Sequence, residues 1–409
     1  MHVIIKIKSK FKICSITSKT KSQRDNKKLS DDNYLKAAKA IISAGVLPIP
    51  INDTMLEILK IIIEPNELDF VFAFQRKNSQ TMEQLLKTTK GKMDENEILR
   101  KVASLAKKGV IFNQPNSQGV MVYRLLPLII TGVFEYQMMR PLEFSEKEKK
   151  LAKLYLKLFN ELKNAVQDKY DSFISVFKSV PPLDRTLPIL GKNAEGNEVE
   201  ILINEEIDAP QEEIIPAQKV EEIINKFDDI AVAGCFCRQH RDLLEDPCKI
   251  NAPRENCFTF GKSARHIVNQ GFGRMVTKEE ALKIIKEAED IGLIHKTYHP
   301  NSNFSRDETS LCNCCKCCCG TFNLYKDGIL PTVNLTNYLS KVNKELCIGC
   351  GICIEKCPLD AISLNDENKA EVDKIRCLGC GVCAHFCESS AISLLEGKRI
   401  VYVPPPKLK

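Results

Sequence analysis

Eight cysteines near the C-terminus constrain this chain more than any other feature of its sequence. Cys347, Cys350, Cys353 and Cys357, with Pro358 behind them, form a C-x-x-C-x-x-C-x-x-x-C-P run, and 30 residues later Cys377, Cys380, Cys383 and Cys387 repeat the spacing. The repeat runs past the cysteines, since Ala361-Ile362-Ser363-Leu364 returns as Ala391-Ile392-Ser393-Leu394 at the same offset of 30. This is an internal duplication. Short, clustered spacings without an export signal point to metal rather than disulfides, and so to a reducing cytoplasm. Zinc sites usually pair two C-x-x-C knuckles, a pattern this doubled run fits poorly. Thiolates spaced so closely converge on one group only if the backbone turns tightly, a freedom that Gly349, Gly351, Gly379 and Gly381 supply.

Over residues 340 to 396 the run resembles the bacterial two-cluster ferredoxins, and the resemblance implies two 4Fe-4S clusters in a ferredoxin-like domain. In such proteins the fourth cysteine of each repeat serves the other cluster. The resemblance thus implies that Cys347, Cys350, Cys353 and Cys387 hold one cluster while Cys377, Cys380, Cys383 and Cys357 hold the other, interlocked and suited to passing single electrons. Glu388 departs from the pattern by standing where the first repeat has Pro358, and is expected to alter the exposure of one cluster without removing a ligand. Residues 341 to 409 hold ten basic and nine acidic side chains, which reads as a docked module rather than a diffusing acidic carrier.

A second set of thiols lies upstream: Cys235, Cys237, Cys248 and Cys257, then Cys312, Cys314, Cys315, Cys317, Cys318 and Cys319. In a reducing cytosol such a set binds soft metal or exchanges thiols. Neighbours on so short a segment cannot all face one ion, so some serve a second site or stay free. The favoured reading is a third iron–sulfur centre built from part of this set, with zinc as the alternative; the spacing does not say which cysteines share it. His240 and His266 read as packed or surface residues rather than ligands. Arg238 and Arg241 are placed to offset thiolate charge or to be solvated. Gly271-Phe272-Gly273-Arg274 precedes a helix with Thr277 as N-cap and Glu280 three residues on, and reads as a plain turn rather than an anion cradle.

The N-terminal half carries helical periodicity at Met55, Leu56, Leu59 and Ile63, at Met82, Leu85 and Leu86, and at Ile98, Val102 and Leu105. Ser79 and Asp94 are the expected N-caps. Val110-Ile111-Phe112 and Val120-Met121-Val122-Tyr123, separated by a turn, read as a β-hairpin. Helices followed by a hairpin look like a winged helix. Residues 93 to 108 mix Asp94, Glu95 and Glu97 with Arg100, Lys101, Lys107 and Lys108, which favours protein docking over a phosphate-binding stripe, with DNA as the lesser alternative. Leu151, Leu154, Leu158 and Leu162 form a helical packing or dimerising stripe. No apolar run reaches the ~18 residues of a membrane-spanning helix. Formal charge is +6, but residues 1 to 30 carry nine Lys or Arg against one Asp, so the basic excess belongs to that tail.

The expected organisation is an α+β multidomain chain: a basic disordered tail (1–30), a winged-helix-like domain (31–143), a helical connector (144–180), a linker with one strand (181–217), a cysteine-rich middle domain (218–338), the two-cluster ferredoxin domain (339–400) and a short tail (401–409). Through residues 127 to 140, Cys235-Phe236-Cys237-Arg238, Cys312-Asn313-Cys314-Cys315 and the ferredoxin repeats, the chain resembles uncharacterised 4Fe-4S binding proteins of anaerobes. That resemblance implies iron–sulfur electron transfer and nothing finer. The expected function is a cytoplasmic redox subunit, possible within an oxidoreductase, that relays single electrons between a partner protein and a cysteine-rich metal centre. A redox-sensing winged-helix regulator of transcription is the alternative reading, and a platform that hands on clusters is a third.

Overall fold

In a computed structural model, residues 21–45, 49–177, 184–193, 195–203, 219–299, 306–399 and 403–408 are described. The chain divides into two compact units, one of Met1–Gln137 with Glu146–Phe159 and one of Met138–Ser145 with Asn160–Lys409.

In the first unit, a helix over Lys21–Ala44 begins inside the stretch expected to be a disordered tail, whose residues 1–20 lie outside the described residues. Its C-terminal part is anchored by buried Tyr34, Ala37, Ala38 and Ile41. Once those turns are packed, adding Lys, Gln and Arg upstream costs little, because helix nucleation rather than elongation is the unfavourable step. Helix Asp53–Ile62 is capped by Asn52, whose side chain accepts from the Met55 amide, and buries Met55, Ile58, Leu59 and Ile62 at helical spacing. A strand, β1 (Ser79–Thr81), precedes helix Met82–Thr88. The cap expected at Ser79 falls on Thr81 instead: Ser79 is paired in the sheet with Arg124, while Thr81 and Gln84 exchange the reciprocal bonds of a capping box. Asp94 caps helix Glu95–Lys107 as expected. Gly109, at φ +65, then turns the chain where an added Cβ would lie 2.3 Å from that of Tyr136. Strands β2 (Ile111–Pro115) and β3 (Met121–Leu125) follow as a hairpin, giving a three-stranded sheet ordered β1-β3-β2.

Helices Val133–Met139, Glu146–Gln167 and Tyr170–Phe177 come next. Leu151, Leu154, Leu158 and Leu162 are all buried within the chain, so the stripe is consumed by packing.

The second unit is built on a six-stranded sheet. Its strands are β4 (Arg185–Leu187), β6 (Ile230–Gly234), β7 (Glu255–Phe260), β8 (Gly273–Met275), β9 (Ile294–Tyr298) and β10 (Ser310–Cys314), ordered β4-β9-β10-β7-β6-β8. Strand β5 (Ile201–Leu202) runs parallel to β14 (Ile392–Glu396), which also pairs with β11 (Tyr338–Val342). A small hairpin of β12 (Ile362–Leu364) and β13 (Ala370–Val372) joins the two cysteine repeats. Two described stretches of the expected linker are therefore sheet members: β4 satisfies the edge of β9 and β5 that of β14.

Antiparallel register sorts the large sheet into two faces, because directly opposed residues project the same way. Val232, Phe258 and Leu311 share one face and pack with Ile223, Ile224, Ala281 and Ile285 of helices Val220–Lys226 and Lys278–Asp290. The opposite face presents Cys257, Cys312, Cys314, Lys296 and Tyr298, through the pairings Cys312 with Cys257 and Lys296, and Ser310 with Tyr298. This thiol-bearing face shares one buried cluster with Phe322, Val333 and Leu335 and with Leu359, Leu378, Cys380 and Val382 from the two C-terminal repeats. The cysteine-rich region and the C-terminal repeats thus have a common core.

Candidate metal centres

The C-terminal thiols fall into two quartets. Burial lifts Cys353 to about 11, and its charged neighbours are Cys350, Cys387 and Cys347. Burial likewise pushes Cys380 and Cys383 upward, with Cys357 and Cys377 as the thiols that repel them. Cys387 of the second repeat thus acts on Cys353 of the first, and Cys357 of the first acts on Cys380 and Cys383 of the second. Backbone amides point at the sulfurs: Ala361 N donates to Cys357 (3.3 Å), Ala370 N to Cys347 (3.4 Å) and Ala391 N to Cys387 (3.3 Å). The Ala370 amide holds the Cys347 thiol below its usual pKa. Such donors stabilise anionic sulfur, so the donor set suits 4Fe-4S clusters, which would supply one-electron redox chemistry when bound.

The repeats differ in setting. Ile348 is 67% exposed while its counterpart Leu378 is 3% exposed, and Cys350 is exposed where Cys380 is buried. The second knuckle is bonded into the large domain, Ile189 N donating to Cys380 O (2.9 Å), Thr336 N to Leu378 O (3.0 Å) and Thr336 Oγ1 to Gly379 O (2.8 Å). Glu388 is exposed, whereas Pro358 is buried.

The ten upstream cysteines separate into two groups. Six of them, Cys235, Cys237, Cys319, Cys314, Cys312 and Cys257, form a ring of thiols lining one cavity, which Cys315 and Cys318 also border. Neighbouring thiols draw down Cys235 and bring Cys312 to about 6, and against its burial they also lower Cys319. The construction is local as well as long-range. Cys235 directly follows β6 and is the N-cap residue of helix Phe236–Leu243, which carries Cys237 in its first turn; Cys319 holds the same place before helix Gly320–Lys326. Gly320 N donates to Cys237 Sγ at 3.0 Å. The remaining four, Cys248, Cys315, Cys317 and Cys318, have all their sulfurs within 4.8 Å of one another.

Buried cations face the ring. Arg238 is fully buried, with Nη1 donating to Pro253 O and Nη2 to Asn313 O, both at 2.9 Å. Burial opposes its charge, but Cys235, Cys315, Cys257 and Cys314 outweigh that and raise its pKa. Arg241 instead pairs with Asp246 at 2.8 Å. Lys296, also fully buried, binds Asp184 (2.6 Å), Thr332 O (2.8 Å) and Thr321 Oγ1 (3.0 Å). Its burial is outweighed by Asp184, Cys319 and Cys314, which keep it charged. Sequence reasoning missed Lys296, Asp184 and Tyr298, since nothing local marks which lysine of a chain so rich in them lies under a sheet. His240 and His266 are buried but do not line the cavity enclosed by the ring. Gly271 is an open turn at φ +76, and Arg274 is engaged by Glu255 (3.0 Å) and Glu280 (2.8 Å), in keeping with a turn rather than an anion site.

Residues 340–363 match the 4Fe-4S binding domain family. A probable ferredoxin of Methanosarcina thermophila is 56% identical over 34 residues, which are 8% of this chain and 59% of that protein. Protein Pixie of Drosophila melanogaster is 40% identical over 50 residues, 12% of this chain and 8% of its own length. The chain therefore spans less than two thirds of either relative, and no solved structure matches it. The matched domain and the ferredoxin similarity support an iron–sulfur protein with an electron-transfer role. Among the described residues, no helix is long and apolar enough to cross a membrane.

Proposed function

We propose that this chain is a redox subunit of the cytoplasm of an anaerobe, passing single electrons between a partner protein and a third metal–sulfur centre through two 4Fe-4S clusters. In this reading Cys347, Cys350, Cys353 and Cys387 hold the outer cluster, and Cys377, Cys380, Cys383 and Cys357 hold the inner one. The third centre belongs to the ring of Cys235, Cys237, Cys257, Cys312, Cys314 and Cys319. Six thiols exceed what one tetrahedral ion takes, so the ring suits a polynuclear iron–sulfur centre. Arg238 and Lys296 offset its negative charge, a role that buried cations perform well where water is excluded.

One observation carries the proposal: Cys380 and the ring thiols belong to the same buried cluster, while Ile348 and Cys350 of the other repeat face solvent. That asymmetry orders an exposed partner end and a buried acceptor end. The first unit, in which helices Asp53–Ile62, Met82–Thr88 and Glu95–Lys107 precede the β2–β3 hairpin, is read as a winged-helix-like module that docks protein.

Anaerobic iron and acid-labile sulfide content, with electron paramagnetic resonance of the reduced protein, tests this. About twelve irons are expected, falling to about eight in a Cys235→Ser, Cys312→Ser variant that keeps the ferredoxin signals. Wild type holding only about eight irons would remove the third centre, and no iron at all would remove the whole reading.

A further inference from the structure

The four cysteines outside the ring have a geometry of their own. Cys248 Sγ lies 3.9 Å from Cys315 and 3.7 Å from Cys317; Cys317 lies 3.7 Å from Cys315 and 3.5 Å from Cys318. Four thiolates around one tetrahedral zinc at a Zn–S distance of ~2.3 Å stand about 3.8 Å apart along every edge. A 4Fe-4S cube instead puts each thiolate on a different iron at an outer corner, well beyond sulfur contact.

We propose that Cys248, Cys315, Cys317 and Cys318 bind a single zinc ion as a closed structural site, distinct from any iron–sulfur centre. Three of the four are buried, packed with Ala252, Ala288 and Leu293 in a small core separate from that of the ring. Four thiolates complete a tetrahedron and leave no open position, which is the arrangement of structural rather than catalytic zinc. The zinc knuckle interrupts the ring's own segment: Cys314 precedes it and Cys319 follows it, so closing Cys315, Cys317 and Cys318 on an ion fixes the separation of two ring thiols. Lys316, at its tip, donates to Ile354 O (3.2 Å) and Glu355 O (3.3 Å) and pairs with Asp360 (2.7 Å), all in the first C-terminal repeat. The ion thus clamps the ring segment to the ferredoxin repeats. This assignment does not depend on what the ring holds.

The test uses the full chain, made with both iron and zinc supplied and purified without oxygen. Elemental analysis should find about one zinc per chain, and zinc-edge X-ray absorption should show four sulfurs at ~2.3 Å. A Cys248→Ser, Cys317→Ser variant should lose that zinc, whereas Cys317→His, which keeps a zinc-competent donor set, should retain it. A Cys235→Ser, Cys312→Ser variant should keep the zinc while losing ring metal, so failure here is separable from failure of the ring assignment. Zinc-free wild type, a mixed oxygen or nitrogen coordination shell, or a single iron bound by four sulfurs at these residues would each overturn the proposal.

Discussion

Gly351 and Gly381 occupy the same position in the two repeats and both adopt φ +78, yet their surroundings are opposite. A Cβ added at Gly351 meets nothing within 4 Å, whereas one at Gly381 would lie 2.3 Å from Ile189 O. Alanine at either site bears the left-handed backbone penalty of about 1–2 kcal/mol. At Gly381 the Ile189 carbonyl must also move, although the neighbouring Ile189 amide is bonded to Cys380 O at 2.9 Å. Overpacking of about 1–3 kcal/mol and a lost or strained hydrogen bond of about 1 kcal/mol then add to the backbone term. Gly351→Ala should therefore destabilise by about 1–2 kcal/mol and Gly381→Ala by about 3–6 kcal/mol. Anaerobic guanidinium titrations, followed by circular dichroism and by the visible absorption of the bound iron, measure the difference. Equal shifts in midpoint for the two variants would refute the claim that the turn at Gly381 is packed against Ile189 while the turn at Gly351 is open.

Lys296→Met should cost about 3–5 kcal/mol by stranding the buried Asp184 carboxylate, and a Lys296→Met, Asp184→Asn double variant should recover much of that; equal losses in urea titrations would exclude the ion pair as the cause. Burial raises Tyr325 to about 12, so its neutral form stabilises the fold below pH ~10, and that contribution, about 2–3 kcal/mol, drains away as pH rises toward 12. Tyr325→Phe should flatten this alkaline loss, and an unchanged stability profile between pH 9 and 11.5 would count against it. In the first unit, Thr81→Ala should destabilise by about 1 kcal/mol and Ser79→Ala by less than about half of that, read from thermal unfolding; the reverse order would return the helix cap to Ser79.

Local order was the part of this protein that a linear reading could reach. The doubled cysteine spacing marks a cluster-binding segment, the periodic leucines and isoleucines mark the helices, and Asp94 and Thr277 mark two helix starts, because each signal is complete within a few residues. The strand β1, by contrast, has only three residues and exists through its pairing with β3, so the cap next to it was misplaced by two positions. The upstream cysteines show the limit most clearly. Spacing alone could say that six neighbours between Cys312 and Cys319 cannot share one ion, but their sorting needed Cys257 brought opposite Cys312 by the register of β7 on β10, and Cys248 brought to Cys315 and Cys317. Strand alternation then aims Cys312 and Cys314 at one face, and the turn that follows gathers Cys315, Cys317 and Cys318 around Cys248. Burial of Lys296, and of Leu378 and Cys380 but not of their counterparts Ile348 and Cys350, was likewise decided by tertiary packing. The chain determines what each segment can bind through its own spacing; only the sheet's long-range register determines which sulfurs meet, since residues 55 apart become neighbours by hydrogen bonding between strands that no local pattern encodes.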